Sequence, residues 1–516
     1  MKSPGLAVGV RVGWGSSIDF AAQISNGKKD IDMSILSRRN FLKQSFGAGA
    51  TLLICGTSST PRVFGANDRV RVAVVGVNGR GGDHISGFLG QPNVEIAYLV
   101  DPDQRVLKNR LEALEKKVEG KYTTKGVADV RRALEDPELD AISVATPNHW
   151  HSLMTIWGAQ AGKHVYVEKP MSHDIAEGRI ALEAQKKYNV VIQHGTQSRS
   201  NAGIAGLHKA IHEGKFGRLK VSYGYACKPR NGIGFKEPSD PPANLNWDLW
   251  RGPAVVDQFH GNLVHYNWHW FWKTGNGELN NQGTHQLDMA FWALDPTVTH
   301  PVRAMAIGGR FQWNDQGETP NTMFGIAEYP NGQYVFFNVR NVNFDGYQHQ
   351  VENEYYFEDG GKIVRGQYYA KGSDQGEKVE VPAGEVTPGG NYGAFIAACR
   401  AGDPAMANGT AYEAHHSCTL GHVINNSYRL GVKVPFNAKA GRFGDNKDAY
   451  EHFMKLHAVM SEGVGVPEDE AEYVVGPWLS FDAKTERFVG EHAAEANVLV
   501  KDPNRPGYEV PTLDRL

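Results

Sequence analysis

From Val70 to Gln193, short apolar runs alternate with helical stretches, and no other feature constrains the fold as strongly. Residues 70–75, 94–100, 139–145, 164–167 and 190–193 read as buried strands. Helical stretches fall at 83–89, 103–118, 128–134 and 152–161, and another follows the capping pair Asp174/Glu177. The helix over 103–118 carries Val106, Leu107, Leu111, Leu114 and Val118 as one stripe. Parallel strands need a crossover of a dozen or more residues, so this alternation predicts an α/β fold with a doubly wound parallel sheet.

The first strand runs into Gly76-Val77-Asn78-Gly79-Arg80-Gly81-Gly82 and then a helix. Glycines there let backbone N–H groups approach a pyrophosphate at the positive end of a helix. Gly76 and Gly81 occupy the first and third positions of a dinucleotide fingerprint. Asn78 takes the middle one, and Asn tolerates positive φ better than most residues. With Gly79 and Arg80 these are candidate cofactor contacts. Asp101 ends the second strand about 20 residues beyond Gly81, where a carboxylate accepts the adenosine ribose hydroxyls and repels a 2′-phosphate. The expected cofactor is therefore NAD, with NADP possible because Arg105 lies close. The plainer role for Asp101 is to cap the helix that begins near Asp103.

Glu168-Lys169-Pro170 follows the 164–167 strand. Proline has no N–H to donate, so the ladder stops there and Lys169 stands at a strand's carboxyl end. Ligands of open α/β sheets bind outside those ends. A partly desolvated Lys beside a cationic ring loses its proton more easily and can act as acid or base. A surface Lys at a strand end is the bland alternative.

Beyond residue 214 strands dominate, at 219–226, 303–307, 322–328, 333–339, 348–358 and 362–364. Asn331-Gly332 is a two-residue hairpin signal. These predict an antiparallel α+β domain. A long segment at 227–300, rich in Gly, Pro, Trp and His, interrupts it; loops this long are usually functional. It holds His265, Trp268, His269, Trp270 and Trp272, then a helical pattern with His285 and Asp288 three apart on one face. A carboxylate beside a His fixes its tautomer. His265 and His269 have the spacing of a metal pair but lack a third ligand, so no metal is expected. Tryptophans at such positions fill cores more often than they hold sugar rings.

The net charge of −3 offers no basic face for nucleic acid, and the four cysteines show no paired spacing. Ser37-Arg38-Arg39-Asn40-Phe41-Leu42-Lys43 matches a twin-arginine export signal, and the run at 46–55 is too short and Gly-rich to span a bilayer. Gly65-Ala66 offers a cleavage point before Asn67, Ile54 disfavours a lipoprotein site at Cys55, and Met33 is the expected start. The mature protein is expected to be periplasmic or otherwise exported, with no membrane segment.

Together, Gly76-Val77-Asn78-Gly79-Arg80-Gly81, Thr146-Pro147-Asn148-His149-Trp150-His151, Glu168-Lys169-Pro170 and Gly283-Thr284-His285-Gln286-Leu287-Asp288 resemble the Gfo/Idh/MocA oxidoreductases, named for glucose–fructose oxidoreductase and inositol dehydrogenase. The resemblance implies an N-terminal Rossmann domain, then an α+β domain with a large, mostly antiparallel sheet often used for oligomerisation. It implies tightly held NAD or NADP and a sugar-like substrate. By the match, Thr146, Pro147, Asn148, His151 and Glu168 line the cofactor, Lys169 lies by the nicotinamide and substrate hydroxyl, and His285 takes or gives the proton. The family often has Asp where this chain has Asn281, and Asn is no base, so His285 and Lys169 would share the proton work. Trp268, Trp270, Asn281 and Asp288 are the candidate substrate contacts. The expected organisation is a leader at 1–66, nucleotide domain at 67–195, substrate and oligomerisation domain at 196–436 and C-terminal extension at 437–516, assembled as a homodimer or homotetramer. Three functions fit: an exported sugar oxidoreductase, a redox-neutral glycoside hydrolase working through a keto-sugar, and a non-catalytic sugar sensor. N-terminal sequencing of the precursor is expected to read from Met33 rather than from Met1.

Overall fold

A computed structural model describes residues 69–347 and 349–516. The twin-arginine motif, Met33, Cys55 and the 65–66 cleavage point lie outside the described residues.

Six parallel strands form the first sheet: β1 (Val70–Val75), β2 (Val94–Val100), β3 (Lys125–Val127), β4 (Ala141–Val144), β5 (His164–Val167) and β6 (Ile192–His194). Their order is β3-β2-β1-β4-β5-β6, so the winding reverses between β1 and β4. The crossovers are α1 (Gly81–Leu89), α2 (Gln104–Val118), α3 (Val130–Leu134), α4 (Asn148–Gln160) and α5 (Ile175–Tyr188). β4 and β5 are buried at every residue, which explains their continuous apolar runs. Local chemistry sets the helix starts. Asp103 accepts the N–H groups of Arg105 and Val106 at 2.9 and 3.1 Å. Asp174 accepts that of Glu177 at 2.8 Å, while the Glu177 side chain is buried. The full reciprocal box forms elsewhere, between Thr410 and Glu413.

A second sheet is ordered β14 (Glu377–Lys378), β13 (Gln367–Tyr369), β12 (Lys362–Val364), β11, β7, β10, β9, β8, β16 and β15 (Val432–Pro435), with β17 on β8 and β18 on β17. Its central strands are β7 (Leu219–Cys227), β8 (Arg303–Gly309), β9 (Thr322–Glu328), β10 (Tyr334–Arg340) and β11 (Gln350–Phe357). β7 and β10 pair in parallel, and the other described pairs of this sheet are antiparallel. The β9–β10 hairpin turns through three residues, Pro330-Asn331-Gly332, and not through the two that Asn-Gly signalled: the Tyr329 N–H meets the Gln333 carbonyl at 2.9 Å, and Gly332 alone of the three takes a positive φ, +83°. One face carries the short helices α6 (Gly277–Asn280) and α7 (Gly283–Trp292) and the long helix α8 (Ala411–Arg429). Ile424 of α8 packs so closely over Gly325 that a Cβ there would lie 2.6 Å from it. The other face is partly covered by α9 (Lys447–Ala458), through Phe453 and Leu456.

Residues 437–516, set apart on sequence as an extension, are woven into both sheets' surroundings. They supply β16 (Glu472–Val475), β17 (Leu479–Asp482) and β18 (Arg487–Val489). Tyr508 then packs edge-on against Trp150 of α4, with ring centroids 5.5 Å apart. Their polar composition hid this because each strand is short. His415 and His416 of α8 are both buried. His415 and His300 point Nε2 at Glu486, 2.8 and 3.2 Å away, and Arg179 shares that carboxylate at 3.2 Å.

Burial holds many imidazoles neutral. It lowers His149, His194, His416 and His422 to about 3, and His164 to about 4. The unfolded chain binds these protons near pH 6.5, so stability falls as pH drops below that value. Asp101, Asp174 and Glu177 are raised by burial and act in the opposite sense, but they are fewer. Tm is expected to fall steadily between pH 6.5 and 4, as measured by calorimetry.

Candidate active site

A cavity of about 610 Å³ runs along the carboxyl ends of β1, β2, β4 and β5, at the point where the winding reverses. Its far wall comes from the second domain: Leu249, Trp250, His265, Tyr266, Trp268, His269, Asn281 and His285.

The glycine turn forms its floor. Gly76 has φ +79°, and a Cβ on it would sit 2.7 Å from the Ala145 carbonyl. A Cβ on Gly81 would lie 1.9 Å from the Gly76 carbonyl, so Gly81 braces the turn from behind and does not line the cavity. A Cβ on Gly79 would meet nothing within 4 Å, so its backbone faces open space. Asn78 lines the cavity but has no positive φ, so the tolerance invoked for it on sequence is not used. Arg110, on α2, donates Nε to the Val77 carbonyl at 2.8 Å and supports the turn from outside.

Asp101 lines the cavity and also ties down its loop. Its two oxygens accept the N–H groups of Val77 and Asp103, each at 2.9 Å. Burial pushes its carboxyl up to about 6 despite those bonds. The helix cap is Asp103, which also meets His265 Nε2 at 3.1 Å and Asn244 Nδ2 at 2.8 Å. His269, four residues beyond His265, instead stacks on Trp268 with ring centroids 3.5 Å apart.

Thr146, Pro147, Asn148 and His151 line the next stretch. The Thr146 hydroxyl is buried with no partner among the described residues. His151 is wedged between the carbonyls of Thr146 (2.8 Å) and Pro170 (2.6 Å), joining the β4 and β5 loops. Asn148 Nδ2 reaches Asn276 Oδ1 at 3.2 Å, across to the second domain.

Glu168 and Lys169 stand side by side at the end of β5. Glu168 accepts from Arg80 Nε at 2.8 Å and contacts His84 Nε2 at 3.0 Å. Burial opposes its charge, but His84, Arg80 and Lys169 outweigh burial and hold the carboxyl well below its usual range. Lys169 donates Nζ to the Asn281 backbone carbonyl at 2.6 Å, with Asn281 Oδ1 at 3.4 Å. Burial lowers this amine against the pull of Glu168 and Glu278. His285 opens onto the same cavity, and its imidazole has no hydrogen-bond partner among the described residues. Burial and Lys169 bring it down to about 3, so it is neutral across the physiological range.

Two expected substrate contacts are elsewhere. Asp288 is fully buried and holds Arg199 Nε with both oxygens, at 3.0 and 2.8 Å. Helical spacing put it on the face of His285, but a buried carboxylate must be paired, and Arg199 supplies that pairing. Trp270 lies off the cavity, with Arg230 over its ring at 5.6 Å. Trp268 does line it, though His269 covers one face of the indole. Sequence reasoning missed His84, Arg110 and Glu278, because nothing local distinguishes them from ordinary helix residues.

These features fit a dinucleotide. A glycine turn admits no Cβ at Gly76, Gly79 exposes its backbone, an unpartnered hydroxyl waits at Thr146, and a carboxylate ends β2.

Comparison with known proteins agrees. Residues 70–196 match the model of an oxidoreductase family with an NAD-binding Rossmann fold, and residues 209–459 match that family's C-terminal alpha/beta domain. The chain carries this family's NAD-binding Rossmann domain followed by its C-terminal alpha/beta domain, and it belongs to the Gfo/Idh/MocA oxidoreductase family. Levoglucosan dehydrogenase of Pseudarthrobacter phenanthrenivorans is 28% identical over 190 residues, 35% of this chain and 42% of that protein. scyllo-Inositol 2-dehydrogenase (NAD(+)) of Bacillus subtilis is 30% identical over 29% of this chain and 42% of that protein. Glycosyl hydrolase family 109 protein 2 of a Shewanella species (strain ANA-3) is 32% identical over 28% and 36%. The chain thus spans less than half the length of these relatives. The fold also matches a solved levoglucosan dehydrogenase in complex with NADH and levoglucosan, with a TM-score of 0.52 at 18% identity, covering 69% of this chain and 96% of that one. The WlbA dehydrogenase from Bordetella pertussis, solved with NADH and UDP-GlcNAcA, gives 0.51 at 21%, covering 70% and 98%.

Replacing Arg199 with Met should leave Asp288 buried without a counter-charge. We expect a loss of about 3–5 kcal/mol in chemical denaturation, and recovery of much of it when Asp288 is replaced by Leu as well.

Proposed function

We propose that this protein oxidises a secondary hydroxyl of a sugar or glycoside, using NAD that stays bound. The observation that carries this reading is the meeting of Lys169 and His285 on one cavity beside the glycine turn. A neutral imidazole with free nitrogens can accept the hydroxyl proton. The Lys169 ammonium, aimed by the Asn281 carbonyl, steadies the negative charge that develops on that oxygen. Gly76, Gly79, Asp101, Thr146, Asn148 and Glu168 would hold the dinucleotide. When bound, NAD supplies the acceptor for the hydride leaving the substrate carbon. The Trp250 to His269 wall would keep water from the reacting atoms.

Export by the twin-arginine route, as a chain folded around its cofactor, is part of this proposal, as is assembly into a homodimer or homotetramer. An exported enzyme meets no pool of fresh NAD, so its cycle should close on itself. A second sugar could serve as oxidant. The relatives named as glycosyl hydrolase family 109 proteins favour another closure: oxidation, elimination of the aglycone, addition of water and re-reduction.

Purified protein is expected to release about one NAD per chain on denaturation, read by absorbance. Lys169→Met should retain that NAD and lose at least about a hundredfold in kcat. Unchanged turnover in this variant, or protein unable to take up NAD, refutes the reading. Release of nitrophenol from an aryl glycoside without added cofactor would favour the hydrolase over net oxidation.

A further inference from the structure

Glu278 has no surface on the cavity, yet it sits directly behind Lys169. It lies in α6 and is fully buried. Asn281 Nδ2 donates to Glu278 Oε2 at 3.2 Å, and Asn281 in turn offers its backbone carbonyl and its Oδ1 to Lys169. The chain of groups is self-consistent. A carboxylate can only accept, so it draws the NH₂ side of the amide and turns the oxygen side toward the ammonium. The Asn281 N–H is fixed as well, bonded to the Gly277 carbonyl at 2.9 Å.

Glu278 is balanced from the other side. Arg230 NH2 reaches both of its oxygens, at 3.0 and 3.1 Å, and Arg230 NH1 donates to Tyr266 at the cavity wall at 2.8 Å. The charged groups acting on the Lys169 amine are the anions Glu168 and Glu278 and the cations Arg80 and Lys228. Glu168 is already engaged by Arg80 and His84.

We propose that Glu278 is a positioning residue for Lys169: acting through Asn281, it aims the amine at the cavity and keeps it charged, with Arg230 as the counterweight. The proposal rests on the oxidoreductase reading for its catalytic meaning, but the arrangement can be tested without turnover. Trace acetylation with acetic anhydride, followed by peptide mass spectrometry, reads the titration midpoint of Lys169 in the NAD-loaded protein. Glu278→Gln keeps the amide contact and removes the charge, and should lower that midpoint by about one pH unit. Arg230→Met removes the charge that offsets Glu278 and should raise it. The double variant should fall between the two. A residue that merely held the fold together would not move the midpoint in opposite directions. Glu278→Gln should also lower kcat about tenfold with KM little changed, and Glu278→Asp should restore part of it.

Midpoints that stay put, or that move the same way in both single variants, overturn the proposal. If Glu278→Gln does not fold, Arg230→Met and the double variant decide it alone. Absence of sugar oxidation in the unaltered protein would remove the oxidoreductase reading and leave the midpoint test standing.

Discussion

The contact between the Lys169 amine and the Asn281 carbonyl joins the two halves of this protein. Lys169 stands where β5 stops, because Pro170 cannot extend the ladder. Asn281 stands where α6 ends and α7 is about to begin. An amine taken partly out of water needs acceptors and counter-charge. Asn281 provides the acceptors, and Glu168 and Glu278 provide the charge. Glu168 leads back through Arg80 and His84 to the glycine turn and α1. Each electrostatic partner therefore fixes a piece of backbone as well as a charge.

The same logic closes the cavity. Asp103 caps α2 and also takes Asn244 and His265 from the second domain. The Trp250 carbonyl meets His149 Nε2 and accepts Trp150 Nε1, which holds the tryptophan-rich segment over the amino end of α4. Arg505 and Tyr508 secure that segment from behind through Asp248. The long stretch that reads as a loop is a roof on the ligand edge of the first sheet. This enclosure explains why so many histidines at the interface are held neutral by burial.

Much of this was legible beforehand, and the misses have physical causes. Gly76, Gly79 and Arg80 were readable because turn chemistry is local: a positive φ or a close backbone approach depends on neighbours in sequence. Lys169 was readable because a strand followed by proline has a defined end. Asp288 was misplaced because a spacing of three gives a shared helix face and nothing about what that face meets. Its partner, Arg199, lies 89 residues away in sequence. Asn78 was credited with a strained backbone that the turn did not need. Trp270 was offered as a sugar contact, but Arg230 lies over its ring.

The amino-acid sequence by itself determined the parallel sheet, the glycine turn at its first crossover and the amine at the end of its fifth strand. Those follow from periodicity and from the steric rules of glycine and proline, which act over a few residues. Only the tertiary structure decided which charges face one another: Glu278 behind Asn281, Arg199 on Asp288, His265 on Asp103. Arg199 and Asp288, like His265 and Asp103, come from separate elements far apart in sequence, whereas Glu278 and Asn281 share α6 and its end. The distant pairings are set by burial, between the domains for His265 and within the second domain for Arg199, because a charge leaving water must find a partner wherever the fold has placed one.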